Sequence, residues 1–437
     1  MYKIFNFLFL VLSLSVFNTL KAADLLDIYN RALENNNNLK IIESDYFISK
    51  EQYNQTLSTI FPDINIVGQT KDNTIERYEG AGSIKNYDHD TYSVNLTQPI
   101  LRLNFFDELD KASININKSN FIYNDSKKDL MLEVTEIYFN LINQINLVKI
   151  SKTKKYMLEL KLSNARLLYN DGMITDIELY EHENNANIAS IELEKNENKL
   201  ISIKQEVYIL TGKNIFDVNT FNPDAQLPSL EYDFEMIMSQ AMTVDSNIVT
   251  AIKDVKIAEN DLSSNRSDHY PTVDLVATYD YSDTSIGSYR GAAKQETSSL
   301  SLVLNIPVFQ GGYISSKVRE SRYGLEKTKY NLDLIRKNTQ KKVLDTFNAF
   351  ILNKNLFKIK KDNLKNAKKS YSTIKKGFKL GVNTDIEVTN SKYLLDLAEK
   401  EYIESVGKYL ISDLKIKKHT SKLNIKDLEN INKWLIW

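Results

Sequence analysis

Phe61-Pro62-Asp63-Ile64-Asn65-Ile66-Val67 and Tyr270-Pro271-Thr272-Val273-Asp274-Leu275-Val276 read as one unit written twice, about 209 residues apart. Two more landmarks repeat at nearly the same interval. Gln98-Pro99-Ile100-Leu101 returns as Ile306-Pro307-Val308-Phe309, and Gly172-Met173-Ile174-Thr175-Asp176-Ile177-Glu178 returns as Gly381-Val382-Asn383-Thr384-Asp385-Ile386-Glu387. Near-constant spacing marks an internal duplication, so the 437 residues are read as two halves of one body rather than a row of independent domains.

Composition narrows the function classes. With 56 basic and 57 acidic residues, and no basic stripe with interleaved aromatics visible, nucleic acid is not an expected partner. The absence of cysteine excludes disulfides, thiolate metal sites and cysteine nucleophiles. Lys3 precedes an apolar run from Ile4 to Leu20, followed by Lys21-Ala22-Ala23-Asp24. This is the pattern of a secretory signal peptide over 1–23, cut near Ala22 or Ala23. An uncleaved anchor is the other reading of that run, but Asn6, Ser13, Ser15 and Asn18 dilute it. No cysteine follows the cut, which excludes an N-terminal lipid anchor. No later stretch is apolar for the ~18 residues a spanning helix needs, so entry into a membrane would require a closed barrel.

Proline positions outline the elements. None of the six prolines falls between Pro99 and Pro223 or after Pro307. Proline costs about 3 kcal/mol inside a helix, so these gaps permit very long helices. Val343, Phe350, Phe357, Leu364, Tyr371 and Phe378 recur at every seventh residue, and Val134, Leu141, Val148, Lys155, Leu162 and Tyr169 form the matching series, broken only by Lys155. Sustained heptads predict coiled-coil packing. The expected helices are about Asp24–Ser58, about Leu101–Leu168 and about Asp176–Thr211, then about Asp233–Arg266, about Gly312–Phe378 and about Asp385–Lys418. Each long helix would run roughly 100 Å at 1.5 Å per residue.

Between short and long helices the period changes to two. Tyr92, Val94 and Leu96 alternate with polar residues, as do Val273, Leu275, Ala277, Tyr279 and Tyr281, and Leu300, Leu302, Leu304 and Ile306, while Ile64 and Ile66 give a weaker fourth strand. One apolar and one polar face fit membrane strands as well as a half-buried soluble sheet; the export signal and strand-end tyrosines favour the membrane. Segments 71–90 and 283–296 read as exposed loops. The organisation expected is a first repeat over 24–212 with a hairpin at about 62–99 and a turn at 169–176, then a linker over 213–232. A second repeat follows over 233–420 with a hairpin at about 271–310 and a turn at 378–385, and a C-terminal segment covers 421–437. Four strands cannot close a barrel, since the smallest membrane barrels have about eight. Several chains must share one barrel, and a dimer, trimer or tetramer stays open at this point.

The export signal, tandem halves and helix–hairpin–helix plan resemble the TolC family of outer-membrane channel proteins over essentially the whole mature chain. The motifs that carry the resemblance are Leu304-Asn305-Ile306-Pro307-Val308-Phe309-Gln310-Gly311-Gly312 and the paired G-x-x-T-x-x-[DE] turns. The resemblance implies a mixed α-helical barrel and transmembrane β-barrel: a homotrimer with a 12-stranded barrel in outer-membrane lipid and a 12-helix periplasmic tunnel. The linker and C-terminal segment would form a belt at the tunnel's waist. It further implies export of proteins by type I secretion, of small toxic molecules, or of both. The implied partners are a periplasmic adaptor and an inner-membrane ABC or proton-driven transporter.

Site residues follow from the two turns. Gly172 and Gly381 suit a chain reversal at positive φ, and Thr175, Asp176, Thr384 and Asp385 suit caps for the helix that follows. Family resemblance places Glu387 in an inner acidic ring at the periplasmic entrance, where three converging carboxylates would raise one another's pKa. A second ring position falls on the uncharged Asn390, so Glu178, Glu181 or Glu183 would have to supplement it, although an exposed helix face also accounts for those three. Tyr169 and Phe378 are expected to pack at the tip. Well-known relatives lock the tip with a tyrosine and an arginine, whose positions here are Phe378 and Asn383. Neither can form the same bonds. A tip closed by seam packing and weaker amide bonds, and more easily opened, is the expectation.

Enzymatic chemistry has no residues to carry it. His89, His182, His269 and His419 show no HExxH spacing, Asp88-His89-Asp90 reads as exposed loop, and there is no phosphate-binding loop, G-x-S-x-G or dinucleotide fingerprint. Neither cofactor nor metal is expected. The competing reading is an elongated periplasmic coiled-coil adaptor or structural spacer, for which membrane-length alternation in both halves has no use.

Overall fold

The computed structural model describes residues 23–74, 86–215, 217–285 and 292–436. All of the expected signal peptide except Ala23 lies outside them, as do the centres of both hairpin loops. The elements are α1 Leu25–Asn35, α2 Asn37–Ser58, β1 Asp63–Thr74, β2 Asn86–Leu101, α3 Asn104–Asn170 and α4 Asp176–Thr211. After the short β3 Thr220–Phe221 come α5 Phe234–Val244, α6 Ser246–Ser267, β4 Thr272–Thr284, β5 Ala293–Asn305, α7 Tyr313–Lys379 and α8 Asp385–His419, then α9 Ile425–Asn432 and β6 Leu435–Ile436. Both long helices, α3 and α7, contain 67 residues.

Two expectations need correction. Each short first helix is in fact a pair, broken at Asn36 and, 209 residues later, at Asp245. Asn36 leaves the helical region at ψ 114°, donates its N–H to the Ala32 carbonyl and accepts from the Leu39 N–H, so one residue ends α1 and caps α2. Asp245 breaks at ψ 135°. An unbroken helical pattern conceals such a break because Asn and Asp also occur inside helices. The second correction concerns the loops. Strand pairing continues through Lys71↔His89 to Thr74↔Asn86 and through Asp283↔Lys294 to Thr284↔Ala293. Polar residues there made the segments read as loop, but ladder hydrogen bonds are blind to side-chain polarity.

The chain divides into two compact units, and neither is a repeat. One takes the described residues of Met1–Ile41, Tyr123–Ser246 and Lys337–Trp437; the other takes those of Ile42–Ile122 and Asn247–Arg336. Each draws on both halves, so the unit of duplication and the unit of packing differ.

The second unit is built around one antiparallel sheet in the order β1-β2-β4-β5. Its base is fixed by Arg102, whose guanidinium donates to both carboxylate oxygens of Asp274 at 2.8 Å. The register slips between Pro99 and Leu101, where proline removes a ladder donor.

The first unit holds the main core. Tyr138, Phe139 and Leu141 of α3, Phe350 of α7, Tyr402, Tyr409 and Leu414 of α8 and Phe221 of the linker are fully or almost fully buried. Phe357 and Tyr409 stack 5.6 Å apart, and Tyr232 meets Phe350 edge-on at 5.1 Å. At Gly407 a Cβ would lie 2.8 Å from the Phe139 ring, so α8 approaches α3 this closely only because that residue has no side chain. The heptad residues Val134, Leu141, Val148, Val343, Phe350 and Leu364 are buried, but Tyr169 and Phe378 at the far ends are exposed. Thr220↔Ile436 and Phe221↔Leu435 pair the linker with the C-terminal segment.

Within this unit the inner helices are covered and the outer ones are open. Ile142 and Ile150 of α3 are 2% and 6% exposed, whereas Ile351 and Ile359, at the equivalent positions of α7, are 41% and 55% exposed. Leu410 of α8 is 3% exposed and its equivalent Ile201 of α4 is 65% exposed. Helices α4 and α7 therefore each present an apolar flank that the described residues leave uncovered.

Candidate functional site

Two surfaces carry the site: the sheet of the second unit and the two helix-to-helix turns of the first. On the sheet, register places Ile64, Leu96, Ala277 and Leu300 in one row, and Ile66, Val94, Tyr279 and Ser298 in the next. Tyr92 and Tyr281 follow beside Gly68, their ring centroids 6.1 Å apart. Because successive side chains alternate, the opposite face carries Asn65, Asn95, Thr278 and Ser299, then Gln69, Thr91, Ser282 and Gln295. Thr278 and Ser299 hydroxyls bond at 2.7 Å on that polar face. Leu300, Leu302 and Leu304 are 73%, 68% and 57% exposed. The sheet thus has an apolar face capped by tyrosines, a polar face, and two unpaired edges in β1 and β5.

The turns share one backbone design. Gly172 and Gly381 take φ of 70° and 76°, which L side chains rarely adopt. Met173 N–H reaches the Leu168 carbonyl at 2.8 Å and Val382 N–H the Gly377 carbonyl at 2.9 Å, closing the preceding helices. Thr175 and Thr384 then form reciprocal capping boxes with Glu178 and Glu387. Threonine, and not the following aspartate, is the cap in both.

Side chains make the turns differ. In the first, the Asp176 carboxylate near the Tyr169 phenol, as an acceptor and as a negative charge, raises the phenol above its usual range. Arg166 ties α3 to α4 through Glu183 at 3.0 Å. In the second, Phe378 has no hydroxyl to offer Asp385. Asn383, expected to make weak bonds to a neighbouring turn, instead donates to Glu387 of its own turn at 3.3 Å. Its amide oxygen lies so close to Gly377 that a Cβ there would collide with it. Lys375 and Lys392 occupy the positions equivalent to Arg166 and Glu183, and both lie over the Tyr371 ring, at 5.5 and 5.8 Å from its centroid. Two cations stand where the first turn has an ion pair.

Glu387 is exposed, and within one chain its carboxylate is held below the usual range. The Thr384 backbone N–H contributes most, followed by Asn383 and the Thr384 hydroxyl. This is the opposite sense from mutual repulsion in a ring, because the capping box engages the carboxylate before any other copy is present. Glu178 is lowered in the same way by Thr175. Glu181 and Asn390 are exposed, and Glu183 is occupied by Arg166. The Arg166–Glu183 bridge and the Lys375–Lys392 opposition escaped the sequence reading. Their only signal there was a change of charge at equivalent positions, which has meaning once the helices are known to be paired.

Comparison with known proteins places this geometry. A model of the outer membrane efflux protein family matches residues 237–420. The chain is 23% identical over 434 residues to the outer membrane protein TolC of Escherichia coli (strain K12), covering 96% of this chain and 87% of that one. It is 22% identical over 353 residues to the alkaline protease secretion protein AprF of Pseudomonas aeruginosa, covering 79% of this chain and 72% of the relative. The crystal structure of the Campylobacter jejuni CmeC outer membrane channel superposes with a TM-score of 0.69 at 15% identity, over 94% of this chain and 89% of that one.

Proposed function

This chain belongs to the TolC family of outer-membrane efflux proteins, and from that premise we propose that three copies close into one export channel. The sheet is the observation that carries the reading. Four strands with two unpaired edges, an apolar face and a polar face are unstable alone in water: the edges lack partners and the leucines lack cover. Three copies supply twelve strands, enough to join every edge, set the leucines and tyrosines against outer-membrane lipid and line a lumen with Asn, Thr and Ser. The open flanks of α4 and α7 in the first unit support the same closure. Helix α3 buries Ile142 and Ile150 inside one chain, and α7 gains equivalent cover for Ile351 and Ile359 only from another copy.

Export through such a channel needs an energy source elsewhere. The partners in this reading are a periplasmic adaptor and an inner-membrane ABC or proton-driven transporter, and the cargo is secreted protein, small toxic molecules or both. The turns at 169–176 and 378–385 form the entrance, with Glu387, Asn390, Glu178 and Glu181 facing arriving cargo and Asn383 holding the second turn. Detergent-solubilised protein should have a protein mass three times that of one chain and form conducting pores in planar bilayers. Recovery from the soluble fraction as a monomer, without detergent, would refute the channel and favour the spacer.

A further inference from the structure

We propose that helix α7 carries a docking stripe for an acidic protein surface, running from Lys358 to Lys379 and absent from the first half. The inference rests on the reading that a periplasmic partner docks to this channel, and it assigns where and by what chemistry. Residues 354–379 contain ten lysines and one acid, Asp362. Lys358, Lys361, Lys365, Lys369, Lys376 and Lys379 fall at helical spacing on one arc of α7, and all six are exposed. None of the six has an ion-pair partner among the described residues. The sequence alone shows only a lysine-rich helix in a nearly neutral chain.

The first half supplies the control. At the equivalent positions α3 carries Lys149, Lys152, Tyr156, Leu160, Leu167 and Asn170. Its two lysines are compensated: Lys149 lies 3.7 Å from Asp396 and 3.9 Å from Glu399, and Lys152 lies 3.3 Å from Glu197. A solvated face needs charge but does not need one sign. Lys361, Lys365 and Lys369 repeat at i, i+4, where like charges weaken a helix. Retaining that repulsion is unprofitable for solubility and becomes favourable once an acidic surface lies along it.

The stripe continues a face that protein already covers. The linker and the start of α5 lie on α7 before and beside it: Phe234 meets the Phe347 ring at 5.2 Å, Lys354 donates to the Leu230 carbonyl at 2.7 Å, and Asp224 lies 3.6 Å from Lys368, within the span of the stripe. Lys358 and Lys361 follow Lys354 at spacings of four and seven. From Lys358 to Lys379 the line is about 30 Å long and one side chain wide, which fits an acidic helix. A membrane surface would want apolar anchors among the lysines, and the stripe has none. Ile359 lies about 100° round the helix from Lys358, whereas Ile351 shares its face one heptad earlier, before the stripe begins.

Full-length protein in nanodiscs of zwitterionic lipid should bind fluorescent poly-L-glutamate of thirty residues, with affinity falling as salt rises. K361E/K365E/K369E should weaken binding at least about tenfold, while K361R/K365R/K369R should stay within about twofold. Y156E/L167E, on the equivalent face of α3, should also stay within about twofold. Equal loss in the α7 and α3 variants overturns the stripe, as does arginine failing to preserve binding. Competition by phosphatidylglycerol vesicles as effective as by poly-L-glutamate would assign the stripe to a lipid surface and overturn the protein reading. Bilayer conductance of the same variants separates the two levels: pores lost in every preparation, wild type included, would fault the channel reading, whereas normal pores with unchanged poly-L-glutamate binding in K361E/K365E/K369E would fault only the stripe.

Discussion

The turn at 169–178 and the turn at 378–387 have the same backbone and different fastenings. Both reverse on a glycine at positive φ and restart on a threonine–glutamate capping box. The first adds the Asp176 carboxylate near the Tyr169 phenol and an Arg166–Glu183 bridge. The second has Phe378, two lysines over Tyr371 and a single amide bond from Asn383 to Glu387. Duplication therefore preserved what makes a turn and released what holds it closed. In the proposed channel the second hairpin is the one built to move.

The largest effects should come from the shared parts, and they should be equal. Gly172→Ala and Gly381→Ala each place a side chain at φ near 70° and should cost about 1 kcal/mol. Thr175→Ala and Thr384→Ala should each cost about 1 kcal/mol as lost caps. Hydrogen exchange at the first turns of α4 and α8 measures both pairs, and unequal costs would break the claim of a common backbone.

Exchanging the unequal parts should come next. Phe378→Tyr offers Asp385 the hydroxyl that Asp176 already has, and should lower the resting conductance of the channel severalfold; Tyr169→Phe should raise it. If both leave conductance untouched, the fastenings do not control opening. Lys375→Glu should have a smaller effect of the same sign as Phe378→Tyr. It recreates a bridge across the second hairpin by pairing with Lys392, and exposed pairs contribute about 0.2–1 kcal/mol. Asn383→Ala should raise a resting current that is already measurable. A very small baseline unaffected by this change would show that the second turn is locked by something else.

Acid should give the smallest effect. Folding lowers the carboxyl pKa of Glu178 and Glu387, with the threonine backbone N–H as the largest cause. Their contribution is therefore complete above the ordinary glutamate range of about 4.3 and fades as pH falls through the lowered folded value. Conductance should be flat from neutral pH to about 5 and rise only in stronger acid, in Glu387→Gln less than in wild type. A transition near pH 6 would point instead to carboxylates raised by one another across copies.

Much of the fold was legible in the chain, for identifiable reasons. A proline-free span with a seven-residue apolar repeat has no alternative to a long helix, and Gly-x-x-Thr between two such spans forces a capped reversal. The breaks at Asn36 and Asp245 were not legible, because only the side chain's choice of partner turns an Asn or Asp into a cap. Nor were the strand extensions through Lys71–Thr74 and Asn86–Asp90, whose polar residues pair through backbone groups. Of the site, Gly172, Gly381, Thr175 and Thr384 could be read from local geometry. Asn383 could not: its bond to Glu387 depends on the bare backbone at Gly377, six residues earlier, being folded against it.

The sequence by itself determined the duplication, the helix and strand periods and the design of both turns, all of which depend on residues close together in the chain. Tertiary structure alone decided that compact units cut across the repeats, that Ile142 is covered while Ile351 is open, and that Lys149 is compensated while Lys358 is not. The reason is physical. Burial and charge compensation belong to pairs of distant surfaces, and equivalent residues acquire different neighbours once one helix lies inside the chain and its copy lies at the edge.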